Sequence, residues 1–372
     1  MKPRLTQKFG ILFSMIKNVV LGGMLTNKPS FTFKLVKGYL ETRLFGRKKI
    51  QYLEIMTTHA CNAKCDHCSN AFYDVRGRKK QLTPGKVEEL IRQASAMDIP
   101  VVIFLGGEPM LDPNIFRYVD LTYQHGMMAS LASNGQLFNR ENLLRLKQAH
   151  VSNITITVYS TDPEVNDRIT KVKGYLENAL AAIAIGKEMG IKMALKLVVT
   201  REHFRSGEIY RVIDLARKLN LWLSINPIVP TGAANDNYKD EVLSIVEQEE
   251  LDRLVFENSF ITTHLTSNYF GYGCPAGRAY MGVSAYGDVI PCFFLPLSYG
   301  NVWDMDLKAI HERMLKTPLF KKGAETCVAA YDPEFIGRIL NPCYEKEELT
   351  MHMPAPIELH PHYDPEKKTM NF

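Results

Sequence analysis

The sequence of 372 residues lacks several features that would assign it to a common class. No segment reaches the roughly 20 mostly apolar residues that a membrane-spanning helix needs, and no cleavable signal peptide is recognisable. The seven cysteines are odd in number and show no even pairing pattern, which argues against a disulfide framework. We therefore expect reduced thiols that bind metal, in a reducing compartment such as the cytoplasm.

Acidic residues are almost absent from residues 1–50. This segment has eleven Lys or Arg and a single acid, Glu41, so it carries all of the positive excess in a chain whose net charge is +5. Residues 9–25 are mostly apolar, with Lys17 near the middle, and the apolar side chains recur at helical spacing. The pattern predicts a basic amphipathic helical arm, residues 1–50, that lies on the anionic inner face of a membrane.

A second helix of this arm is predicted after Pro29. Its apolar face consists of Phe33, Val36, Leu40 and Leu44. An alternative interpretation is that both helices cover the open side of the main domain, with their lysines in solvent. A nucleic-acid-binding arm is disfavoured, because such arms rarely carry this much aliphatic content.

The first cysteine group is a CxxxCxxC segment formed by Cys61, Cys65 and Cys68, and it offers only three thiolates to a metal. A structural zinc site needs four ligands, and His67 is poorly placed to be the fourth because it lies between two of the cysteines. An iron–sulfur cluster with one iron free for another ligand fits the count better. The segment therefore predicts an open metal site.

Two predicted strands end at sequences suited to such a site. Residues 52–57 predict a strand that leads to the cysteines, and residues 101–105 predict a buried strand followed by Gly-Gly-Glu-Pro at 106–109. The glycines let the backbone pass close to a ligand, and Glu108 offers a carboxylate to an ammonium group. Alone, Gly-Gly-Glu-Pro would indicate an ordinary turn; together with the cysteines it indicates a cofactor site.

The two motifs together resemble those of the radical S-adenosylmethionine (radical SAM) family, whose signature is CxxxCxΦC after the first strand and GGEP after the second. The resemblance implies a four-iron, four-sulfur cluster whose free iron binds S-adenosylmethionine (SAM). The implied cluster ligands are Cys61, Cys65 and Cys68. The implied contacts of the methionyl amine are Gly106, Gly107 and Glu108. His67 occupies the Φ position, which is usually aromatic and lies near the adenine.

Strand and helix patterns alternate from residue 52 onward. Further strands are predicted at 127–132, 154–158, 192–199 and 221–228, and helices at 83–97, 114–125, 141–149, 174–189 and 207–219. These six strand–helix units are typical of an α/β fold with a parallel sheet and outer helices. The resemblance makes this a partial (β/α)6 TIM-like barrel over residues 51–262.

Polar residues follow the predicted strands, where the reactive groups of such barrels gather. Asn134 follows the third strand and Ser160 the fourth, and the resemblance implies that both lie near the ribose or the carboxylate of SAM. Arg168 resembles an arginine that pairs with the methionyl carboxylate. Each residue also has an ordinary interpretation, as part of a turn, a helix start or the surface.

The second cysteine group follows the barrel and consists of Cys274, Cys292, Cys327 and Cys343. A Cys-x-x-Gly segment, a Gly-x-x-x-x-Cys hairpin and a later Gly-Asn resemble the SPASM and twitch extensions of radical SAM enzymes. The full SPASM pattern has more cysteines. Four thiolates therefore favour a twitch-like lobe, residues 263–350, with one fully ligated auxiliary 4Fe-4S cluster; buried free cysteines are the alternative.

Residues 351–372 are rich in proline, histidine and charge, and they show little periodicity. The sequence predicts a tail. Its histidines, His352, His360 and His362, are expected to be exposed rather than bound to metal.

The resemblance implies that one electron cleaves SAM and that the resulting 5′-deoxyadenosyl radical removes hydrogen from a substrate C–H bond. It also implies a reductant such as flavodoxin or ferredoxin. Three functions are considered. The first is action on a membrane-borne lipid or isoprenoid, suggested by the basic arm. The second is modification of a ribosomally made peptide, and the third is a non-catalytic iron–sulfur or zinc scaffold.

Overall fold

A computed structural model describes residues 31, 34, 37, 38, 41, 46, 48–71, 80–263, 274–350 and 352–372. The strands of its main sheet are β1 (Tyr52–Thr58), β2 (Val101–Gly106), β3 (Met128–Ser133), β4 (Asn153–Thr157), β5 (Met193–Val199), β6 (Trp222–Pro227), β7 (Ile261–Thr262), β8 (Tyr280–Val283) and β9 (Val289–Ile290). Strands β1 to β6 pair in sequence order and in parallel. Because β1 pairs with β8 and not with β6, the sheet does not close, which confirms the partial barrel.

Helices connect the strands of the main sheet and continue into the C-terminal part of the chain. They are α1 (Pro84–Ala96), α2 (Ile115–Gln124), α3 (Arg140–Gln148), α4 (Pro163–Thr170), α5 (Tyr175–Glu188), α6 (Arg201–Arg205), α7 (Glu208–Lys218), α8 (Ala233–Asn237), α9 (Ile245–Glu257), α10 (Leu307–Met314), α11 (Pro318–Lys322), α12 (Val328–Tyr331), α13 (Pro333–Phe335), α14 (Asn341–Glu345) and α15 (Glu347–Thr350). A π-helical turn, Ile336–Leu340, joins α13 to α14.

The predicted elements of the barrel agree with the structure to within one residue at each end. Helix α1 shows why local signals sufficed. Thr83 caps it by accepting a hydrogen bond from the Lys86 backbone N–H at 3.3 Å, and Pro84 occupies the first turn. One face is buried in the core, namely Val87, Leu90, Ile91 and Ala94. The sequence patterns did not predict α6, α9 or β8.

The N-terminal arm can be followed only in part. Residues 9–25 and the predicted apolar face of the second helix lie outside the described residues. Phe31 is 3% exposed and packs with Val101 and Met128, the first residues of β2 and β3. Lys34 donates to the His125 carbonyl at 3.2 Å, and Lys37 pairs with Asp98 at 2.7 Å. These contacts match the alternative in which the second helix covers the barrel, although its lysines bind the protein rather than water.

No helix in the described parts of the chain is both long and apolar enough to cross a bilayer.

We expect Phe31→Ala to lower the free energy of unfolding by about 3 kcal/mol, because the substitution empties a buried aromatic site at the amino end of the barrel. Urea denaturation checks this. Leu359→Ala removes a side chain that is 37% exposed and is the control, with an expected loss below about 1 kcal/mol. Equal losses in the two variants would show that Phe31 is not packed against the barrel.

Residues 352–372 fold against the C-terminal part of the chain. They form the short strands β11 (Ala355–Pro356), which pairs with β10 (Leu297–Ser298), and the hairpin β12 (Tyr363–Asp364) with β13 (Thr369–Met370). His360 is 3% exposed, and its Nε2 lies 3.1 Å from the Ile339 carbonyl. The expectation that the tail histidines are exposed is therefore wrong for His360. Strands of two residues are too short to show periodicity, so these elements could not be predicted from residue patterns.

Candidate active site

The cysteine loop follows β1 and is held by the end of α4. The Lys64 N–H donates to the Thr170 carbonyl and the Asp66 N–H to the Ile169 carbonyl, each at 3.0 Å. Lys171 reaches back to pair with the Asp66 carboxylate at 2.8 Å. The end of α4 thus holds the middle of the cysteine loop through two backbone hydrogen bonds and one ion pair.

The loop after β6 clamps the other end of the cysteine segment. The Ala233 N–H donates to the Cys68 carbonyl at 2.9 Å. Gly232 has φ +62°, and a Cβ there would lie 2.3 Å from the Cys68 carbonyl oxygen, so the position needs glycine. Tyr344 on α14 accepts a hydrogen bond from the Gly232 N–H at 3.1 Å and so ties the C-terminal part of the chain to this loop.

The three thiols of the loop all have pKa values raised by burial. Burial raises the pKa of Cys65 to about 12, and its neighbours Cys68 and Cys61 add to the rise. Burial likewise raises the pKa of Cys61 and of Cys68. The free thiols are therefore protonated at neutral pH, and binding a cluster would release protons.

The donor set suits a cluster better than a single ion. In the described ranges, no three Cys, His, Asp or Glu side chains converge closely enough to hold one metal ion. A four-iron cluster binds each thiolate at a different iron, so its ligands stand further apart, and three thiolates leave one iron open. The residues therefore fit the cluster that the cysteine motif implies.

The Gly-Gly-Glu-Pro segment lies against the start of the cysteine loop. The Gly107 N–H donates to the Thr58 carbonyl at 2.9 Å and the Glu108 N–H to the Ala60 carbonyl at 2.8 Å. A Cβ on Gly106 would lie 2.5 Å from the Thr58 oxygen, and one on Gly107 would lie 2.3 Å from the Ala60 oxygen. The backbone that approaches these glycines is thus that of β1 and its loop, a reason for glycine that the sequence did not reveal.

Glu108 is fully buried and is held by the end of β3. Its Oε1 accepts from the Ser133 hydroxyl at 2.8 Å and from the Met110 N–H at 3.1 Å, and its Oε2 accepts from the Asn134 N–H at 2.9 Å. Burial raises the pKa of Glu108, and these hydrogen bonds oppose the rise. A carboxylate offers about four lone-pair sites, so one remains for an external donor.

Asn134 joins the two motifs through its side chain. Its Nδ2 donates to the Asn62 side-chain oxygen at 2.6 Å and lies 3.8 Å from the Cys61 sulfur. Ser160 is 2% exposed, and its hydroxyl accepts from the Asp162 N–H at 3.0 Å and hydrogen-bonds to Glu208. Arg168 is exposed on α4, the helix that holds the cysteine loop. The structure thus brings Asn134 to the cysteines and commits Ser160 to its own turn.

His67 is buried between two tyrosine rings. Its ring centroid lies 4.0 Å from that of Tyr238 and 5.1 Å from that of Tyr159. Burial lowers the pKa of His67 to about 3, so the imidazole is neutral, and neither ring nitrogen has a hydrogen-bond partner within the described residues. An aromatic wall with a neutral imidazole at its centre therefore stands beside the cysteines. Tyr238 could not be predicted as part of this site, because it comes from the distant loop after α8.

Three cysteines of the second group are neighbours of one another, and the fourth is not. Burial raises the pKa of Cys292, and the neighbouring Cys274 and Cys327 add to the rise. Burial also raises the pKa of Cys343 to about 12, but no other cysteine contributes to that rise. The Cys343 thiol instead donates to the Ile339 carbonyl at 3.4 Å in the buried core. Cys274, Cys292 and Cys327 are thus close enough to influence one another's pKa, whereas Cys343 influences none of them.

Comparison with known families matches both regions. A model of the radical SAM superfamily matches residues 55–216, and a model of the iron–sulfur cluster-binding domain SPASM matches residues 274–329. The chain belongs to the radical SAM superfamily. It is therefore a radical SAM enzyme, whose family binds a 4Fe-4S cluster and SAM, and its SPASM region implies additional iron–sulfur binding.

Curated relatives cover most of this radical SAM enzyme. The AdoMet-dependent heme synthase of Methanosarcina barkeri is 26% identical over 301 residues, which are 72% of this chain and 84% of that protein. The GTP 3',8-cyclase of Aquifex aeolicus is 26% identical over 212 residues, 54% of this chain and 66% of that protein. The relatives thus share the family and differ in their named products.

Solved structures share the fold of this radical SAM enzyme. SuiB of Streptococcus suis bound to S-adenosylmethionine superposes with a TM-score of 0.59 at 17% identity, covering 80% of this chain and 69% of that one. The enzyme anSMEcpe with bound AdoMet gives a TM-score of 0.52 at 17% identity, covering 70% and 80%. At this identity the likeness shows the fold alone.

The division of the second cysteine group gives a testable expectation. In a background with Cys61, Cys65 and Cys68 replaced by alanine, only the auxiliary site can hold a cluster. There we expect Cys327→Ala to lose about four irons and Cys343→Ala to keep them, because only Cys327 lies with the other thiols. Iron analysis and the cluster absorbance of the reconstituted proteins measure this. Iron loss in Cys343→Ala would instead support Cys343 as the fourth ligand of the auxiliary cluster.

Proposed function

We propose that this enzyme reductively cleaves SAM and abstracts hydrogen from a substrate C–H bond. The observation that carries the proposal is the convergence of the three-thiol loop with the Gly-Gly-Glu-Pro segment and Asn134 at one end of the parallel sheet. The bound cluster supplies one electron to SAM. The residues of the chain hold the cluster and SAM in position for that transfer.

Each residue of the site has a proposed role in that positioning. Cys61, Cys65 and Cys68 hold the cluster. Glu108, with Gly106 and Gly107, receives the methionyl amine at its remaining lone-pair site. His67, with the tyrosines around it, provides the aromatic wall for the adenine, and Asn134, Ser160 and Arg168 are the proposed neighbours of the ribose and carboxylate.

The direct test is anaerobic reconstitution followed by reduction with dithionite or with flavodoxin or ferredoxin. We expect SAM-dependent formation of 5′-deoxyadenosine, and deuterium in that product when a deuterated substrate is supplied. About eight irons per chain are expected if both sites hold cubane clusters. Stable zinc binding without any SAM cleavage would support the non-catalytic scaffold instead.

The substrate class is a finer proposal. A membrane-borne lipid or isoprenoid, with the enzyme peripheral on the inner face of the membrane, is supported by the charge and apolar content of residues 1–50. The contacts of Phe31, Lys34 and Lys37 with the barrel leave residues 9–25 as the segment that would bind lipid. Liposome flotation with anionic lipid tests this, and failure of the wild type to float at low salt would remove it.

Peptide modification is the second candidate. SuiB is also known bound to its precursor peptide SuiA, and this chain shares its fold with a TM-score of 0.59. Incubating the reduced enzyme with SAM and either membrane extract or peptides, and following deuterium transfer, separates the two candidates.

We also infer a role for each part of the chain. Residues 51–262 bind SAM, and residues 263–350 bind the auxiliary cluster. Residues 351–372 complete the fold of the C-terminal lobe.

A further inference from the structure

The interior face of the barrel carries a row of unused polar groups. In β5, Leu195 and Leu197 are fully buried in the core whereas Lys196 between them is partly exposed, so Lys196 points to the other face of the sheet, into the barrel interior. Strand register sets Thr157 of β4 beside Lys196 on one side and Ser224 of β6 on the other. Neighbouring strands lie about 4.8 Å apart, so the three side chains leave the same face of the sheet side by side, and together they form one row.

The members of this row have no hydrogen-bond partners among the residues that the structure describes. Throughout the described ranges, Lys196 makes no hydrogen bond and no ion pair at contact distance, and the hydroxyls of Thr157 and Ser224 make no hydrogen bond. Lys196 is close enough to the cysteine loop to oppose the rise in the pKa of Cys68. A cation flanked by two free hydroxyls is the donor set that binds a carboxylate or phosphate.

The wall of the interior opposite Lys196 carries an acidic side chain instead of a lysine. Glu54 of β1 faces the same interior and hydrogen-bonds to Tyr280 of β8, and Lys196 acts on Glu54 only as a distant charge. Burial raises the pKa of Glu54, and its carboxyl group supplies no cation, so the positive charge of this part of the interior lies on the side of β4 to β6. A bound molecule is therefore oriented across the interior.

The amino end of the interior is covered and the other end is not. Phe31 packs with Val101 and Met128, which register places on the same face as Tyr52. The carboxyl ends of the strands carry the cysteine loop and Glu108. A molecule held by Lys196 therefore enters from the end where SAM is cleaved.

We propose that Lys196, Thr157 and Ser224 form a substrate subsite for an anionic group, a carboxylate or phosphate, inside the barrel. The inference rests on the proposed function, because it treats the interior as the substrate chamber. It assigns the substrate a negatively charged group that lies below the SAM site.

The test uses the reconstituted full chain with saturating SAM. Lysines are acetylated briefly with an amine-reactive ester, and peptide mass spectrometry gives the rate at each lysine. We expect inorganic pyrophosphate or succinate, compared with chloride at equal ionic strength, to slow labelling of Lys196 by at least about threefold, as a charge-assisted contact would. Lys192, exposed just before β5, is the internal control and is expected to be unaffected. Protection by pyrophosphate alone assigns a phosphate, and protection by succinate alone assigns a carboxylate.

The paired hydroxyls provide the second arm. A Thr157→Val, Ser224→Ala variant keeps the ammonium, and we expect it to lose most of the protection. Equal labelling in chloride and in both anions would overturn the proposal. So would full protection by SAM alone combined with about tenfold weaker SAM binding in Lys196→Met, since Lys196 would then serve the methionyl carboxylate. SAM cleavage is assayed separately, so an enzyme that cleaves SAM without anion protection refutes only this inference.

Discussion

A Cys65→Ala variant is expected to lose the first cluster and to fall in reductive SAM cleavage by more than about 100-fold, beyond the 10- to 100-fold typical of changes around metal ligands. The reason is the ligand count. The loop offers three thiols, so removing one leaves two thiolates for a cluster that the motif expects three to hold. 5′-Deoxyadenosine formation and cluster absorbance measure the loss.

Cys343→Ala is the matched control, because it deletes a buried thiol whose pKa no other cysteine influences. It is expected to keep SAM cleavage close to wild type. Auxiliary iron in Cys65→Ala should also persist, since Cys274, Cys292 and Cys327 are untouched. Wild-type cleavage by Cys65→Ala would refute the assignment of the cluster to this loop.

A Gly107→Ala variant is expected to lose both stability and cluster binding. The added Cβ would lie 2.3 Å from the Ala60 oxygen and 2.4 Å from the His59 oxygen, and both are backbone atoms that cannot rotate away. Forcing β1 and β2 apart at this point should lower the free energy of unfolding by about 3 kcal/mol, the upper end for overpacking. Cys61 follows Ala60 directly, so the cysteine loop moves with it.

Gly85→Ala provides the contrast within the same fold. Gly85 lies in helix α1, and a Cβ there meets nothing within 4 Å. The variant should be neutral or gain up to about 1 kcal/mol, because alanine is the better helix former. Urea denaturation and iron content of the two variants give the comparison. If Gly107→Ala matched Gly85→Ala in both measurements, the close approach of the two strands would be disproved.

The sequence predicted the barrel well because its signals are local. Thr83-Pro84 is a helix-start signal carried by two adjacent residues, and the runs that became β1 and β2 are buried on at least one face. The three cysteines and Gly-Gly-Glu-Pro are likewise short motifs, so the site could be found without knowing the fold.

What the sequence could not predict depends on distant contacts. Lys196 in an alternating strand looks like an ordinary solvent-facing residue, and only the curvature of the sheet turns that face inward. Tyr238 reaches His67 across more than a hundred residues of chain. Cys343 was predicted as a ligand because four cysteines fit one fully ligated cluster. Its position depends on the π-helical turn and α14, which place it in the core.

The phenol of Tyr344 touches the backbone of Gly232, which in turn presses on Cys68. A residue near the end of the chain therefore braces the loop that carries the first cluster. We expect damage to residues 341–345, even where it spares every thiol, to loosen this brace and so to disturb the cysteine loop more than 100 residues earlier in the chain.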